Sequence, residues 1–164
     1  MKINPNARVP SLITDDGILT ETPAILAYIA QIKLDANLAP AGDPFAFARL
    51  QEFNSDVCST LHVAHAHRMR GIRWAYAEWS FADMQRKVPE PVTACYRLIE
   101  DRLFCGPWMM GDQYMVADPH LFTVAQCMEG DGVNLASIPA VVDHRARMTV
   151  LPNVIQGIAE EQGA

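Results

Sequence analysis

No run of apolar residues in this sequence approaches the ~20 needed to span a bilayer, and membrane insertion is not expected. Basic residues are in short supply. There are 13 Lys and Arg against 19 Asp and Glu, a formal net charge of −6. Nucleic acid is therefore not the expected partner, because binding a phosphate backbone rewards clustered Lys and Arg. The opening "MKINPNARVP" has no apolar h-region and does not read as a secretory signal. There is no Cys-x-x-Cys pair. Cys58, Cys95, Cys105 and Cys127 each sit in an apolar, helix-like context, which points to free thiols in a reducing cytoplasm rather than disulfides or a metal site. We see no internal repeat and no low-complexity segment.

What is present is an ordinary soluble composition: 164 residues, half of them hydrophobic and a fifth charged. "RVPSLITDDGILTETPAILAYIAQ" (8–31) reads as strand, tight turn, strand, helix. The strands are expected at 9–13 and 18–20, turning at Asp16–Gly17, because Gly accepts positive φ at no steric cost. Thr22 suits an N-cap and Pro23 the first helical position. "LDANLAPAGDP" is a linker. Asp43–Pro44 repeats the cap-then-Pro device. Phe47, Leu50, Phe53, Val57, Leu61 and Ala64 then recur at helical spacing, so a long helix is expected over 44–70. Arg68 and Arg70 would fall in its last turn, and Gly71 could be its left-handed terminator. "RWAYAEWS" is irregular, and Pro89 and Pro91 are expected to break any helix there. Val92, Cys95, Ile99 and Leu103 give another helical face. A further helix is expected over 116–128, and two shorter ones open at Pro139 and Pro152. The layout is a hairpin with a helix, a linker, and a bundle of about five helices.

Two motifs in order now resemble one family. "VPSLITDDGILTETPAILAYIAQ" is similar to the second half of the glutathione-binding domain of glutathione S-transferases: Val-Pro-x-Leu, an acidic-Gly turn, then Leu-x-Glu-Ser/Thr-x-Ala-Ile. "MMGDQYMVADPHLF" resembles the family's Gly-Asp-x-x-Ser/Thr-x-Ala-Asp segment. "LPNVIQGIAEE" resembles its closing helix, with Leu151 where Arg is common. The nearest flavour is bacterial, beta-like or nu-like. The implied fold class is mainly α: a helical bundle preceded by a truncated thioredoxin-like β-hairpin plus helix. The implied division is a partial glutathione-binding domain at 1–32, a linker at 33–42 and an all-helical domain at 43–164. The family's first β-α-β unit, which takes ~30 residues or more, is expected to be missing.

The resemblance carries over residue by residue. Val9–Pro10 matches the cis-proline bond whose Val backbone pairs with glutathione; on base rates alone an X-Pro bond is trans. Glu21 and Thr22 match the Glu-Ser pair that holds the γ-glutamyl carboxylate at a helix N-terminus, and Thr22 can equally be a plain cap. The long helix lines the electrophile cleft in the family, so His62, His65, Arg68, Arg73 and Trp74 are candidate pocket residues. A solvated helix end explains Arg68, Arg70 and Arg73 equally well. For His62, His65 and His67, a metal site is not expected. Only the first two share a helix face, at ~100° per residue, and no acidic third ligand is near on that face. Asp118 matches a capping-box acid, with Met115 where a Ser or Thr cap is usual. The family's activating Tyr, Ser or Cys lies on a first strand and has no match here. Tyr28 matches a packing position. The implied function is conjugation of glutathione, as co-substrate, to small hydrophobic electrophiles, impaired by the truncation, in a cytoplasmic homodimer. The rival readings are a non-catalytic ligand-binding or protein-interaction module and a gene remnant without a selected role.

Overall fold

Thr14 and Gly17 close the first element. In the computed structural model, which describes residues 3–163, β1 (Ser11–Thr14) pairs antiparallel with β2 (Gly17–Thr20) in the register Leu12 to Leu19 and Ile13 to Ile18. The turn is therefore Asp15–Asp16, one residue earlier than expected. Gly17 opens β2 at φ +142, a conformation side chains rarely adopt. The pleat sends Leu12 and Leu19 to one half-buried face and leaves Ile13 and Ile18 exposed on the other.

α1 (Thr22–Ile32) follows. Thr22 is already helical, not its cap. Glu21 holds the cap position at φ 69, and no side chain caps this end. Ala30 of α1 enters the main core, and the linker after it is docked to the bundle: Val116 N–H donates to the Leu38 carbonyl at 2.9 Å, and Gln113 to that of Asn37 at 2.9 Å.

α2 (Pro44–Asp56) starts as expected, with Asp43 Oδ1 accepting from the Phe45 and Ala46 N–H groups at 2.9 and 3.0 Å. It then passes into a π turn (Val57–Leu61), closed by the bond from His62 N–H to the Val57 carbonyl, and continues as α3 (His62–Ala66). The expected rod over 44–70 thus ends at Ala66. Gly71 is not a left-handed terminator. It is glycine for space, since a Cβ there would lie 2.8 Å from Phe81 Cδ1.

The segment expected to be irregular, 73–80, runs at its end into α4 (Glu78–Lys87), and α5 (Pro89–Leu98) begins after one intervening residue. Pro89 and Pro91 do not break it, because both fall in its first turn, where their missing N–H groups cost little. A second π turn (Ile99–Leu103) ends this rod. α6 (Ala117–Ala125), α7 (Pro139–Thr149) and α8 (Pro152–Gly163) complete the bundle. Beyond residue 43, among the described residues, the only extended pairing is an isolated bridge from Trp108 to Gly111.

The core gathers Leu50, Phe53, Val57 and Leu61 from the first rod, Val92, Tyr96 and Ile99 from the second, and Leu121 and Ala125 from α6. Each fully buried large apolar side chain contributes roughly 1.5–3 kcal/mol. Asp118 takes the Met115 N–H at 2.7 Å, which is half of a capping box. Met115 has no hydroxyl to complete it, but it is half-buried against the core, so packing occupies the position instead.

Candidate functional site

A cleft of about 570 Å³ opens where the hairpin unit meets the π turn and α3. Val9 stands beside it, 93% exposed, and its bond to Pro10 is cis. The walls are Arg8, Cys58, His62, Val63, Ala66, Arg73 and Trp74. Of the five pocket candidates, His62, Arg73 and Trp74 line it. Each has a local reason to be there. His62 is the first residue after the π turn. Arg73 and Trp74 close the 3₁₀ turn Gly71–Arg73, where the Trp74 ring stacks on His67 at 4.0 Å.

His65 and Arg68 do not line it. They turn to Asp131, a carboxylate 2% exposed on the loop after α6. His65 Nδ1 lies 2.7 Å from it and Arg68 3.4 Å. The acidic group not expected near the His pair is thus supplied from 66 residues away in sequence. His62 and His65 do share a face, their rings stacked at 6.2 Å. Among the described residues no three His, Cys, Asp or Glu side chains gather as metal ligands.

The cleft is electropositive. Burial, helped by His65, Arg70, Arg73 and Arg8, lowers the His62 pKa, so its imidazole is neutral at physiological pH. At the α1 end, the Thr22 and Ala24 N–H groups precede the first helical bond, from Ile25 N–H to the Glu21 carbonyl at 3.1 Å. Unpaired N–H groups at a helix start suit a carboxylate. Glu21 is one of three non-glycine residues at positive φ among those described. Strain of this kind costs on the order of 1–3 kcal/mol and collects at functional sites.

Sequence reasoning missed three members. Arg8 could have been found, as the neighbour of Val9. Cys58 precedes His62 by four positions, a spacing that on a helix shares a face. His120 could not have been found, because only the packing of α6 on the π turn brings it to Cys58, with Nε2 3.8 Å from Sγ.

Comparison with known proteins shows the family of the fold. The family model for the glutathione S-transferase N-terminal domain matches residues 1–31. A crystal structure of a glutathione transferase homolog from Sulfitobacter, with bound glutathione, is 42% identical. It superposes with a TM-score of 0.90 over 99% of this chain and 77% of its own. The chain belongs to the glutathione S-transferase family. Two further members have lower identity. A beta-class glutathione S-transferase from Sphingomonas chungbukensis is 27% identical at a TM-score of 0.83, covering 98% of this chain and 77% of its own. Glutathione S-transferase GstA of Escherichia coli O157:H7 is 25% identical over 97% of this chain and 76% of its own. This transferase-family chain thus carries the mainly helical fold expected of it.

Proposed function

We propose that the chain binds glutathione beside Val9–Pro10 and transfers it slowly to small hydrophobic electrophiles. The observation that carries this is the exposed Val9 backbone next to a cationic cleft. A tripeptide thiol with two carboxylates needs an extended backbone partner and positive charge, and this place offers both. In this reading residues 1–32 form the glutathione-binding unit, 33–42 the linker and 43–164 the electrophile-binding unit. Glutathione bound by the Sulfitobacter homolog supports the same ligand here.

The roles follow from chemistry. Val9 pairs its backbone with the cysteinyl part. The N–H groups at Thr22 and Ala24 and the Thr22 hydroxyl hold the γ-glutamyl carboxylate, and Glu21 receives the α-ammonium. Arg8 and Arg73 neutralise the glycyl carboxylate. His62, being neutral, takes the thiol proton or donates to the thiolate. The thiolate is the nucleophile, and a free thiol with pKa about 8.5 is mostly protonated at pH 7. Trp74 offers the electrophile an apolar face. We infer slow turnover because His62 is only partly buried and meets solvent, and a hydrogen bond to a developing anion stabilises less there than in a dry site.

We further propose a homodimer. A non-catalytic interaction role is the second reading, favoured by the exposed Met69, Ile72, Tyr76 and Trp79. Retention on immobilised glutathione, combined with conjugation to an aryl halide at neutral pH, decides. Retention with measurable conjugation lost in His62→Ala supports transfer; retention without conjugation supports the second reading.

A further inference from the structure

Cys58 is not an isolated thiol. Asn54 and Cys58 lie one turn apart on the rod that becomes the π turn, and His120 reaches them from α6. His120 Nδ1 lies 2.9 Å from Asn54 Oδ1. A carbonyl oxygen only accepts, so Nδ1 carries the proton and donates it. The Nε2 lone pair then faces Cys58 Sγ at 3.8 Å. Asn54 and His120 are buried, and the half-buried Cys58 opens onto the cleft with Arg8, His62 and Arg73. This is a nucleophile, a base and a residue that orients the base, in order.

The charges around the pair define its state. Burial and Glu21 at the start of α1 push the Cys58 thiol up. Burial and His62 bring His120 down to about 4. Arg8 and Arg73 stand beyond His62. At neutral pH the pair therefore holds one proton, which rests on sulfur with the Nε2 lone pair facing it.

We propose that Cys58, with His120 as base and Asn54 orienting it, exchanges with a disulfide of the glutathione class held in this cleft, giving the chain a thiol–disulfide exchange activity besides conjugation. The ligand class rests on the glutathione reading of the cleft. The Cys58 proton moves to His120 Nε2 as Sγ attacks one sulfur of the ligand. The ligand S–S bond breaks, a bond forms between Cys58 and one glutathionyl half, and the other half leaves as a thiolate that takes the proton from His120. One thiol and one disulfide enter, and one of each leaves. A second glutathione reverses the exchange at Cys58 and releases glutathione disulfide, so the thiol is regenerated.

The test uses the full chain treated with glutathione disulfide, with peptide mapping of every cysteine. Cys105, exposed and donating only to the Leu103 carbonyl, is the internal reference. We expect Cys58 to be glutathionylated about tenfold faster than Cys105, and His120→Gln to remove that advantage while leaving Cys105 unchanged. A pair sharing one proton keeps that proton from its upper to its lower titration, so the wild-type rate at Cys58 stays flat from about pH 8 to about pH 6. An unassisted thiol in a short peptide loses about tenfold per unit below its pKa. The profile decides even if His120→Gln fails to fold. An unmodified Cys58 in a chain that still binds glutathione overturns the exchange alone, as does a rate that falls tenfold per unit. A base-dependent Cys58 that takes hydroxyethyl disulfide as fast as glutathione disulfide overturns the glutathione reading and the named ligand class with it.

Discussion

His144 Nε2 sits 2.9 Å from Asp118 Oδ1, and both side chains are fully buried. The same carboxylate accepts the Met109 and Met115 N–H groups at 2.7 Å each. One residue therefore ties the loop before α6, the start of α6 and the middle of α7. Asp118→Ala leaves two buried donors and one half-buried donor without an acceptor. At about 1–3 kcal/mol for each unsatisfied buried group, with partial relaxation, the loss is roughly 3–5 kcal/mol. The urea midpoint should fall accordingly; a change under about 1 kcal/mol would show that the loop rearranges freely.

The Asp43 cap gives a smaller and cleaner expectation. It is exposed, and among the described residues its side chain bonds only to the Phe45 and Ala46 N–H groups. Asp43→Ala should cost about 1 kcal/mol and Asp43→Ser much less. Thermal melting of the three proteins checks the order. Equal midpoints would mean that the start of α2 is held by packing alone.

How much of this was legible beforehand differs by cause. Asp43, Pro139 and Pro152 mark their helices because capping and a fixed φ are local properties of those residues. The Val9–Thr20 hairpin was legible for the same reason. The end at Ala66 was not: Arg68 looks like a last-turn cation but pairs with Asp131. Nor was the π turn at Val57, since no residue type announces an i to i+5 bond. In the cleft, Val9, His62, Arg73 and Trp74 were reachable, while His120 depends on a contact across 62 residues of sequence. Non-local packing is what a single sequence hides.

Stability should depend on acid through His120. Its folded pKa of about 4 lies below the unfolded 6.5. The unfolded state therefore binds more protons between those values, so stability is full above about pH 6.5 and is lost as pH falls toward 4. At about 1.4 kcal/mol per unit the loss is roughly 3 kcal/mol. Urea titrations of wild type and His120→Gln at pH 7.5 and 4.5 check it. The variant should lose less than wild type over the same interval, and identical losses would remove His120 as the cause.

Glu129 acts in the same direction, over a lower pH range and with a smaller effect. Its bidentate pairing with Arg145, at 2.6 and 2.8 Å, brings its pKa down to about 2. Its contribution is thus present above the ordinary carboxylate range and lost as pH falls toward 2. Glu129 is more than half exposed, so solvent screening holds the pair to under about 1 kcal/mol. Glu129→Gln should shift the urea midpoint slightly at pH 7 and not at all at pH 2, and salt should shrink the pH 7 effect.

The hairpin is the weakest part of the fold. Leu12 and Leu19 are half-buried on one face, whereas Ile13 and Ile18, directly paired across the strands, are 66% and 44% exposed. A two-stranded hairpin is marginal by itself, and unpaired strand edges invite another chain. Within the described residues α1 supplies the main packing against it. Amides over 11–20 should therefore exchange faster than those of Tyr96 or Leu121 in the bundle core, because local opening requires little apolar surface to be exposed. In the proposed homodimer the exposed pair is shielded at higher concentration, so exchange over 11–20 should slow as sedimentation shows association at micromolar concentration. Ile13→Lys should then weaken association without lowering the melting of the bundle. A monomer whose hairpin exchanges as slowly as the core would contradict this account of the edge.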